Sequence, residues 1–336
     1  MQRILITGGA GYIGSHTCIA LIQAGYRVVV FDNLSNSSDI AIRRVEQITQ
    51  SSVPFIKGDI RDTATVEDTL RKYDCSAVIH FAALKAVSES IQQPMLYYDN
   101  NIIGSHSLLS AMAAASVKSI VFSSSATVYG EPQTLPLTEV HPLSATNPYG
   151  RSKLFVEDML RDVYTSDPSW RISILRYFNP AGAHPSGLIG EDPTGIPNNL
   201  MPFIAQVAIG RREKVSIWGD NYATPDGTGV RDYIHVCDLA DGHVKALQSL
   251  CSPTCTAINL GTGRGYSVLE LIKAFEAVCG RKIDYEICSR RPGDVASCFA
   301  DASVALEQLG WVARKDIHAM CSDHWNWQIS NPNGFY

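Results

Sequence analysis

Residues 5–14 read LITGGAGYIG, a short apolar strand that runs into glycines at positions 8, 11 and 14. A helical run over residues 15–24 follows, and a second apolar strand, residues 27–31, ends in Asp32, 18 residues beyond Gly14. Glycines in this pattern give a sharp turn, a close approach to a pyrophosphate and tight packing of a helix whose free N–H groups bind the phosphates. With the acidic residue after the second strand, the spacing predicts a dinucleotide-binding turn.

Asp32 indicates which dinucleotide is bound. A carboxylate at the end of the second strand accepts hydrogen bonds from both ribose hydroxyls and repels a 2′-phosphate. The sequence therefore predicts NAD rather than NADP as the cofactor. The alternative is a glycine-rich turn with a solvated Asp32, but the position of the turn between a strand and a helix favours the cofactor.

Strand-like and helix-like segments alternate through the first half of the chain. Further strands are predicted at residues 54–56, 77–81, 119–122 and 172–175, with helices near 63–73, 101–116 and 150–166. This alternation predicts an α/β fold with a Rossmann-type doubly wound parallel sheet, which binds ligands at the carboxyl ends of its strands. Proline and glycine become frequent beyond residue 178. We therefore expect an NAD-binding domain over residues 1–178 and a smaller C-terminal substrate-binding lobe over 179–336.

Composition excludes several classes of partner. The 336 residues carry a net charge of -5 without a basic stripe, so no nucleic-acid partner is expected, and local arginines must hold an anionic substrate. The nine cysteines lack paired CxxC motifs, which indicates reduced thiols and no metal site. The chain shows neither a leader peptide nor an apolar run near the ~20 residues that span a bilayer, so we expect a cytoplasmic protein without a membrane partner.

Tyr149 and Lys153 carry the chemical signal. They follow Pro148 at a predicted helix start and, four residues apart, share one helix face. A lysine ammonium beside a tyrosine favours the phenolate, which can serve as a general base. The spacing alone is common, but the segment FSSSATVYG, residues 122–130, leaves a strand at the same sheet edge. Within it, Ser125 is predicted to bridge the phenol and a substrate oxygen, whereas Ser123 and Ser124 are expected to cap their own backbone.

The glycine-rich turn together with Asp32, Ser125, Tyr149 and Lys153 resembles the extended short-chain dehydrogenase/reductase family. Longer stretches over essentially the whole chain are similar to the nucleotide-sugar epimerases of that family: HFAALKAV (80–87), YYDNN (97–101), RYFNP (176–180), GIPNNLMP (195–202) and GVRDYIH (229–235). The resemblance implies an isomerase of galactose metabolism that interconverts UDP-galactose and UDP-glucose through a 4-keto intermediate with tightly bound NAD. It also implies a UDP-hexose substrate and a homodimer, with helices at 101–116 and 150–166 as the candidate interface.

The resemblance carries site residues over to this chain. Those implied to contact the cofactor are Gly8, Gly11, Tyr12, Ile13, Gly14, Asp32, Asn33, Asn36, Asp59, Ile60, Phe81, Lys85, Asn100, Tyr149, Lys153 and Phe178. Those implied to bind the UDP-sugar are Ser125, Tyr149, Asn179, Asn199, Leu200, Ser216, Ile217, Trp218, Arg231, Arg291, Asp294 and Cys298. Arginine side chains can form bidentate hydrogen bonds with diphosphate oxygens, and an indole can pack near a uracil.

Cys298 stands where some bacterial members of the family have a tyrosine. The resemblance associates a small residue here with acceptance of N-acetylated sugars, so we expect UDP-GlcNAc and UDP-GalNAc to be interconverted as well. The alternative is that Cys298 is only a small buried hydrophobic residue.

The residues leave two other functions to consider. An NAD-dependent nucleotide-sugar 4,6-dehydratase shares the fold, but it needs an acid and a base at a strand end that here reads Ser125-Ala126-Thr127. An NAD-sensing, non-catalytic protein would keep the glycines without needing the pair Tyr149 and Lys153, which is intact. Both observations favour the epimerase.

Overall fold

A seven-stranded parallel sheet forms the centre of the molecule. The structure, a computed structural model, describes residues 2–193, 195–291 and 293–335. The strands of this sheet are β1 (Arg3–Thr7), β2 (Arg27–Asp32), β3 (Phe55–Lys57), β4 (Ala77–His80), β5 (Ser119–Ser123), β6 (Arg171–Tyr177) and β10 (Thr254–Leu260), in the order β10-β6-β5-β4-β1-β2-β3. The order reverses direction at β1, and the crevice at such a switch point is where doubly wound sheets bind ligands.

Both faces of the sheet are covered, because its strands are apolar on both sides. Ile4 and Ile6 of β1 face one core, and Leu5 faces the other. The first core contains residues of α1 (Tyr12–Gln23), α2 (Asp39–Thr49), α9 (Val236–Ser249) and α11 (Ser303–Leu309). The second contains residues of α3 (Thr63–Lys72), α6 (Gly104–Ala114) and α7 (Pro148–Ser166).

A short irregular stretch connects β4 to α6. It contains α4 (Val87–Gln92), α5 (Pro94–Tyr97) and a π-helical turn over Tyr98–Ile103 that continues directly into α6. Isolated π turns occur frequently at functional sites. This one contains Asn100, which the family resemblance implies as a cofactor contact.

The remaining elements build a second lobe. Its strands are β7 (Asn179–Ala181), β8 (Val215–Trp218), β9 (Val230–His235), β11 (Gly265–Ser267), β12 (Tyr285–Cys288) and β13 (Ser297–Cys298), and its helices are α8 (Leu200–Ala208), α10 (Val268–Cys279) and α12 (Ile317–Ser330). Strand β9 pairs with β7, β11 and β13, while β8 pairs with β12. Residues of α8, α10 and α12 form the core of this lobe.

The parallel doubly wound fold predicted from the sequence is confirmed. The prediction did not include β10, which pairs in parallel with β6 at one edge of the sheet. The division into residues 1–178 and 179–336 stays a prediction, although α9 and β10 of the second part return to the sheet of the first. Among the described residues, no helix is long and apolar enough to cross a membrane.

Candidate active site

The glycine-rich turn lies between β1 and α1, and its glycines are required by close backbone contacts. Gly8 has φ +70°, and a Cβ built there would lie 2.6 Å from the backbone nitrogen of Ala82. A Cβ on Gly14 would clash with the carbonyl oxygen of Gly8. Helix α1 begins after Gly11, which has no side chain that could cap the N–H groups of the first turn. The helix therefore presents its N–H groups in the arrangement that binds phosphate.

Asp32 ends β2 beside this turn. Its carboxylate accepts hydrogen bonds from the backbone N–H of Ala10 at 3.0 Å, from that of Leu34 at 2.9 Å and from the hydroxyl of Ser37 at 2.9 Å. The side chain is buried and fixed, and a carboxylate has about four acceptor positions, so it can still accept a bond from a ribose hydroxyl.

Asn33 and Asp59 lie next to Asp32 at the ends of β2 and β3. The Asn33 amide donates to Asp59 at 3.1 Å, and Arg61 forms an ion pair with Asp59 at 2.7 Å. The hydrogen bond from Arg61 holds the pKa of the Asp59 carboxyl well below its usual range. Asn36, by contrast, is exposed in the loop after β2.

Three consecutive serines end β5, and each has a different partner. Ser123 shares a hydrogen bond with the Tyr177 hydroxyl at 2.5 Å, and Ser124 donates to Glu157 at 2.6 Å. Ser125 instead accepts bonds from the backbone N–H and the hydroxyl of Thr127, at 3.2 and 3.0 Å. The expectation that Ser123 and Ser124 cap their own backbone is therefore wrong. The oxygen of Ser125 makes the local cap, which leaves its hydroxyl proton to be donated elsewhere.

Helix α7 presents Tyr149 and Lys153 to the end of β5. The helix starts with Pro148, and the Asn147 side chain caps it by accepting from the Gly150 N–H at 2.8 Å. Tyr149 is 8% and Lys153 4% exposed. The Lys153 ammonium donates to the Ser123 carbonyl oxygen at 2.7 Å. The structure thus brings the helix pair and the serine strand end together.

Burial dominates the protonation of both side chains. It raises the pKa of Tyr149, and interaction with the Ser125 hydroxyl offsets part of that increase. Burial also lowers the pKa of Lys153 to about 7, against the opposing effect of Glu157. Lys153 can therefore exchange a proton near neutral pH, whereas Tyr149 becomes a phenolate in that range only when positive charge acts on it.

Aromatic and amide side chains surround this centre. Phe81 follows β4 and packs on His243 with ring centroids 4.7 Å apart, and Phe178 is buried.

The Asn100 amide donates to Asn101 at 2.9 Å, and Ile60 is buried in the core beneath α6. Ile13 packs against the core on the other face of the sheet.

The Tyr12 hydroxyl donates a hydrogen bond to the Gly182 carbonyl oxygen at 2.6 Å, which connects the start of α1 to the second lobe.

Lys85 and Asn199 meet at one buried carboxylate that the sequence did not predict. Lys85 forms an ion pair with Glu191 at 3.0 Å, and the Asn199 amide donates to the same oxygen at 2.7 Å. The Glu191 side chain is 5% exposed. A residue expected to bind the cofactor and one expected to bind the sugar are thereby linked.

Trp218, Arg291 and Asp294 form a second group, at the rim of the second lobe. Arg291 lies 5.6 Å from the centroid of the exposed Trp218 ring and forms an ion pair with Asp294 at 2.9 Å. Ser216 and Ile217 precede Trp218 on β8, and Ile217 is buried in the core of the lobe. Any contact of Ile217 with a ligand would therefore use its backbone. Leu200 at the start of α8 also packs against this core.

Arg231 and Cys298 are direct neighbours on the paired strands β9 and β13. Cys298 packs against a buried cluster that contains Phe178 and Tyr129, and Ala126, the residue that follows Ser125, packs against the same cluster. Burial raises the pKa of the Cys298 thiol to about 11, which keeps it neutral. Asn179, on β7, pairs with Tyr233 on β9.

Two further buried side chains support the centre and were missed in the sequence. Asn101 donates to Ser152 on α7 at 3.0 Å and accepts from the Leu84 N–H at 2.8 Å. Glu157 forms an ion pair with Arg176 at 2.6 Å. A signal for Glu157 was present, because it follows Lys153 by four residues and so lies on the same face of α7.

Known proteins match this chain over nearly its full length. A family model described as GDP-mannose 4,6 dehydratase matches residues 5–324. The chain is 57% identical over 335 residues to UDP-glucose 4-epimerase of Bacillus subtilis (strain 168), covering 99% of both chains. It is 59% identical over 336 residues to UDP-glucose 4-epimerase of Dictyostelium discoideum, covering 99% of this chain and 98% of that protein. The crystal structure of UDP-glucose 4-epimerase from Bifidobacterium longum in complex with NAD+ and UDP matches with a TM-score of 0.97 at 55% identity, covering 99% of this chain and 100% of that one.

Proposed function

The chain belongs to the UDP-glucose 4-epimerase family of the extended short-chain dehydrogenases/reductases, and we propose from this premise how its residues perform the reaction. It is an NAD-dependent isomerase that interconverts UDP-galactose and UDP-glucose. The observation that supports our assignment of roles is the buried group formed by Tyr149, Lys153 and Ser125 at the carboxyl end of β5.

The residues of the glycine-rich turn fit NAD. Gly8 and Gly14 leave space that a side chain would fill, and the first turn of α1 presents its N–H groups toward the position of a pyrophosphate. Asp32 would accept bonds from the adenosine ribose, and Lys153 would reach the nicotinamide ribose. When bound, NAD supplies the acceptor for the C4 hydride and returns the same hydride.

Tyr149 is the general base in this scheme. As a phenolate it removes the proton of the C4 hydroxyl, and Ser125 donates its hydroxyl proton to the same oxygen. The Lys153 ammonium, held on the Ser123 carbonyl, favours the phenolate electrostatically. Burial raises the pKa of Tyr149, so its phenolate form requires the positive charge of Lys153. In the return step Tyr149 gives the proton back as the 4-keto sugar is reduced.

Inversion requires that the 4-keto sugar turn over without leaving the protein. Arg231, Arg291 and Trp218 would hold the UDP portion, which carries the charge and the aromatic ring. The hexose then needs only weak contacts, and it can rotate about the diphosphate linkage to expose its other face. Binding energy from the remote nucleotide thus retains the intermediate.

The alternatives lack support at the residue level. A 4,6-dehydratase requires an acid and a base where this chain has Ser125, Ala126 and Thr127. The name of the matched family model does not change this, since its range includes residues of the shared NAD-binding fold. A non-catalytic sensor would not require Tyr149 to be buried beside a fixed lysine.

Purified protein mixed with UDP-galactose, without added nicotinamide cofactor, tests the function. We expect UDP-glucose to accumulate to equilibrium, measured by chromatography of the nucleotide sugars. Loss of a water molecule from the sugar would instead identify a dehydratase. Binding of UDP-galactose with no product would identify a sensor.

We also propose that the substrate range includes UDP-GlcNAc and UDP-GalNAc. Cys298 is a small neutral side chain beside the Phe178 cluster, close in sequence to Asp294 and paired across strands with Arg231. A thiol leaves room for an N-acetyl group at C2 as the sugar rotates, which a tyrosine ring would not.

A homodimer is proposed from an exposed apolar surface. The side chains concerned lie on α4, α5, the π-helical turn and α7, and they are exposed by 40 to 73%: Val87, Ile91, Met95, Leu96, Ile103 and Phe155. Helices α4 and α5 and the π-helical turn all contact α7, so these side chains lie on neighbouring elements, and exposed apolar patches of this kind mark interfaces. The surface includes one residue from each predicted interface segment, 101–116 and 150–166.

Substitution of Met95, the most exposed member, tests this interface. We expect Met95→Asp to yield monomers in analytical ultracentrifugation, because a carboxylate cannot be buried unpaired between two copies. Ile329→Asp is the matched control, since Ile329 is 52% exposed on α12, outside this surface. A wild-type protein that is monomeric, or a Met95→Asp variant that still dimerises, would contradict the proposed interface.

A cytoplasmic location is the last part of the proposal. All nine cysteines are free thiols, which is typical of a reducing compartment. Fractionation of cells with an antibody against the protein would test it.

A further inference from the structure

Glu157 is a carboxylate that is 0% exposed, one helical turn beyond Lys153 on α7. Carboxylates are almost never fully buried unless they are paired. Arg176 donates to Glu157 from Nε at 3.0 Å and from Nη2 at 2.6 Å. Ser124 donates at 2.6 Å and Arg161 at 2.7 Å, so both carboxylate oxygens are fully used.

The fold alone does not require this ion pair. Removing two charges from water has a large energetic cost, and an apolar pair of similar volume often gives equal or greater stability. Arg176 is itself 1% exposed and donates further bonds to the Tyr129 hydroxyl and the Glu139 carbonyl, both at 3.1 Å. A buried charge retained at this cost suggests a role in the chemistry.

Glu157 is connected to both parts of the catalytic group, the serine at the end of β5 and the lysine on α7. Ser124, its hydrogen-bond donor, directly precedes Ser125 on the chain. Lys153 precedes Glu157 by four residues, and side chains at this spacing are neighbours on one helix face. Lys153 in turn bonds to the carbonyl of Ser123. One carboxylate therefore lies one helical turn from the lysine on the same helix face, and it accepts a hydrogen bond from the strand end that carries the catalytic serine.

We infer that Glu157 is a positioning residue for the epimerase reaction: its negative charge favours the ammonium form of Lys153, and its hydrogen bond fixes Ser124 so that Ser125 meets Tyr149. This inference rests on the proposed function, because it concerns the same catalytic group. Glu157 itself touches neither the reacting oxygen nor the sugar.

The other titratable groups around Lys153 cannot replace this charge. On α7 itself, Tyr149 stays neutral because burial raises its pKa, and from β6 burial also raises the pKa of Tyr177. From β4, burial and the Lys153 charge lower the pKa of His80 to about 3, so its ring is neutral. Burial opposes the charge of Glu157, but hydrogen bonds from its arginine partner outweigh it and lower the pKa of the carboxyl.

Replacement of Glu157 by glutamine tests the charge. The amide has the same shape and can still accept from Ser124, but it no longer attracts the ammonium. We expect the alkaline limb of the kcat profile for UDP-galactose to move to lower pH by about one unit. In NAD-loaded protein with 13C-labelled lysine, the side-chain resonance of Lys153 should titrate at correspondingly lower pH. Lys153→Met identifies that resonance among those of the ten lysines.

Asp158→Asn is the matched control. It removes a carboxylate one residue away whose side chain is 58% exposed and paired with Arg161 at 2.8 Å. Solvent screens such a charge, so both the kcat profile and the Lys153 titration should remain those of the wild type.

Two more variants separate the two roles. Ser124→Ala keeps the charge and should lower kcat several-fold without moving the pH profile, whereas Glu157→Asp should restore the profile and not the full rate.

If Glu157→Gln does not fold because Arg176 is left unpaired, the double variant Glu157→Gln/Arg176→Met removes both charges. In that variant the Lys153 resonance should still titrate at lower pH than in the wild type. An unchanged profile and titration in the folded variants would overturn the inference. A wild-type protein that does not epimerise UDP-galactose would overturn the proposed function instead.

Discussion

The Lys153 ammonium nitrogen donates a hydrogen bond to the carbonyl oxygen of Ser123 at 2.7 Å. This bond joins the first turns of α7 to the carboxyl end of β5. Tyr149, one turn earlier on the same helix, is thereby held against Ser125, the second residue after Ser123. A helix pair and a strand end that are far apart in sequence thus form one rigid catalytic group, as positioned acid–base chemistry requires.

Tyr149→Phe should remove nearly all turnover and leave NAD bound. The phenyl ring keeps the packing, but it cannot take the C4 hydroxyl proton, and such groups contribute about 10²–10⁴-fold. The measurement is the rate of UDP-glucose formation together with the absorbance of bound nucleotide. Tyr164→Phe, on the same helix, is the control and should keep full activity. If Tyr149→Phe forms UDP-glucose at more than about a tenth of the wild-type rate, Tyr149 is not the general base.

Asp32→Ala should release NAD during purification or weaken discrimination against NADP. The carboxylate is fixed by Ala10, Leu34 and Ser37, so its loss removes a preformed acceptor for the ribose hydroxyls. Cofactor occupancy after gel filtration and titration with both dinucleotides measure the effect. Asp39→Ala is the control, since Asp39 is an exposed carboxylate in an ion pair with Arg43. Unchanged occupancy and preference would show that another residue reads the ribose.

How much the sequence could predict depends on whether a residue's signal is local. The glycine-rich turn, the strand that ends in Asp32 and the Tyr149–Lys153 spacing are local patterns with a mechanical reason, and the structure places them together at one sheet edge. Strand β10 has no such signal, because its pairing with β6 joins residues about 80 positions apart in the chain.

The supporting carboxylates were hidden for a related reason. In the sequence Glu191 looks like an ordinary solvated acid and Glu157 is marked only by its spacing from Lys153, since carboxylates are usually exposed. Their burial depends on the distant partners Lys85 and Arg176, which only the fold brings into contact. Ser124 likewise bonds to a helix rather than to its own backbone.

Stability should fall as pH decreases below about 6.5, the usual pKa of histidine. Burial lowers the pKa of His16 and His80 to about 3 and that of His243 to about 4. In this range the unfolded chain binds protons that the folded chain does not, so the free energy of unfolding decreases by up to about 1.4 kcal/mol per pH unit for each histidine. Above about pH 6.5 these three groups have no such effect.

Thermal unfolding between about pH 7 and 5 measures this dependence. His243→Phe should reduce the slope, because His243 packs between the rings of Phe81 and Tyr177 and a phenyl ring cannot bind a proton. His106→Gln, which changes an exposed histidine on α6, should leave the slope unchanged. Equal slopes for the wild type and His243→Phe would contradict the prediction.

Cys298→Tyr should suppress epimerisation of UDP-GlcNAc while leaving that of UDP-galactose largely intact. The thiol packs against the buried cluster that contains Phe178, so a phenol ring in its place would occupy the volume through which an N-acetyl group must pass as the 4-keto sugar rotates. Overpacking penalises the larger sugar selectively. Initial rates with both substrates measure the ratio, and Cys298→Ala, which stays small, should keep both activities. Equal slowing of both reactions by Cys298→Tyr, or a wild-type protein inactive on UDP-GlcNAc, would mean that Cys298 only fills space in the core.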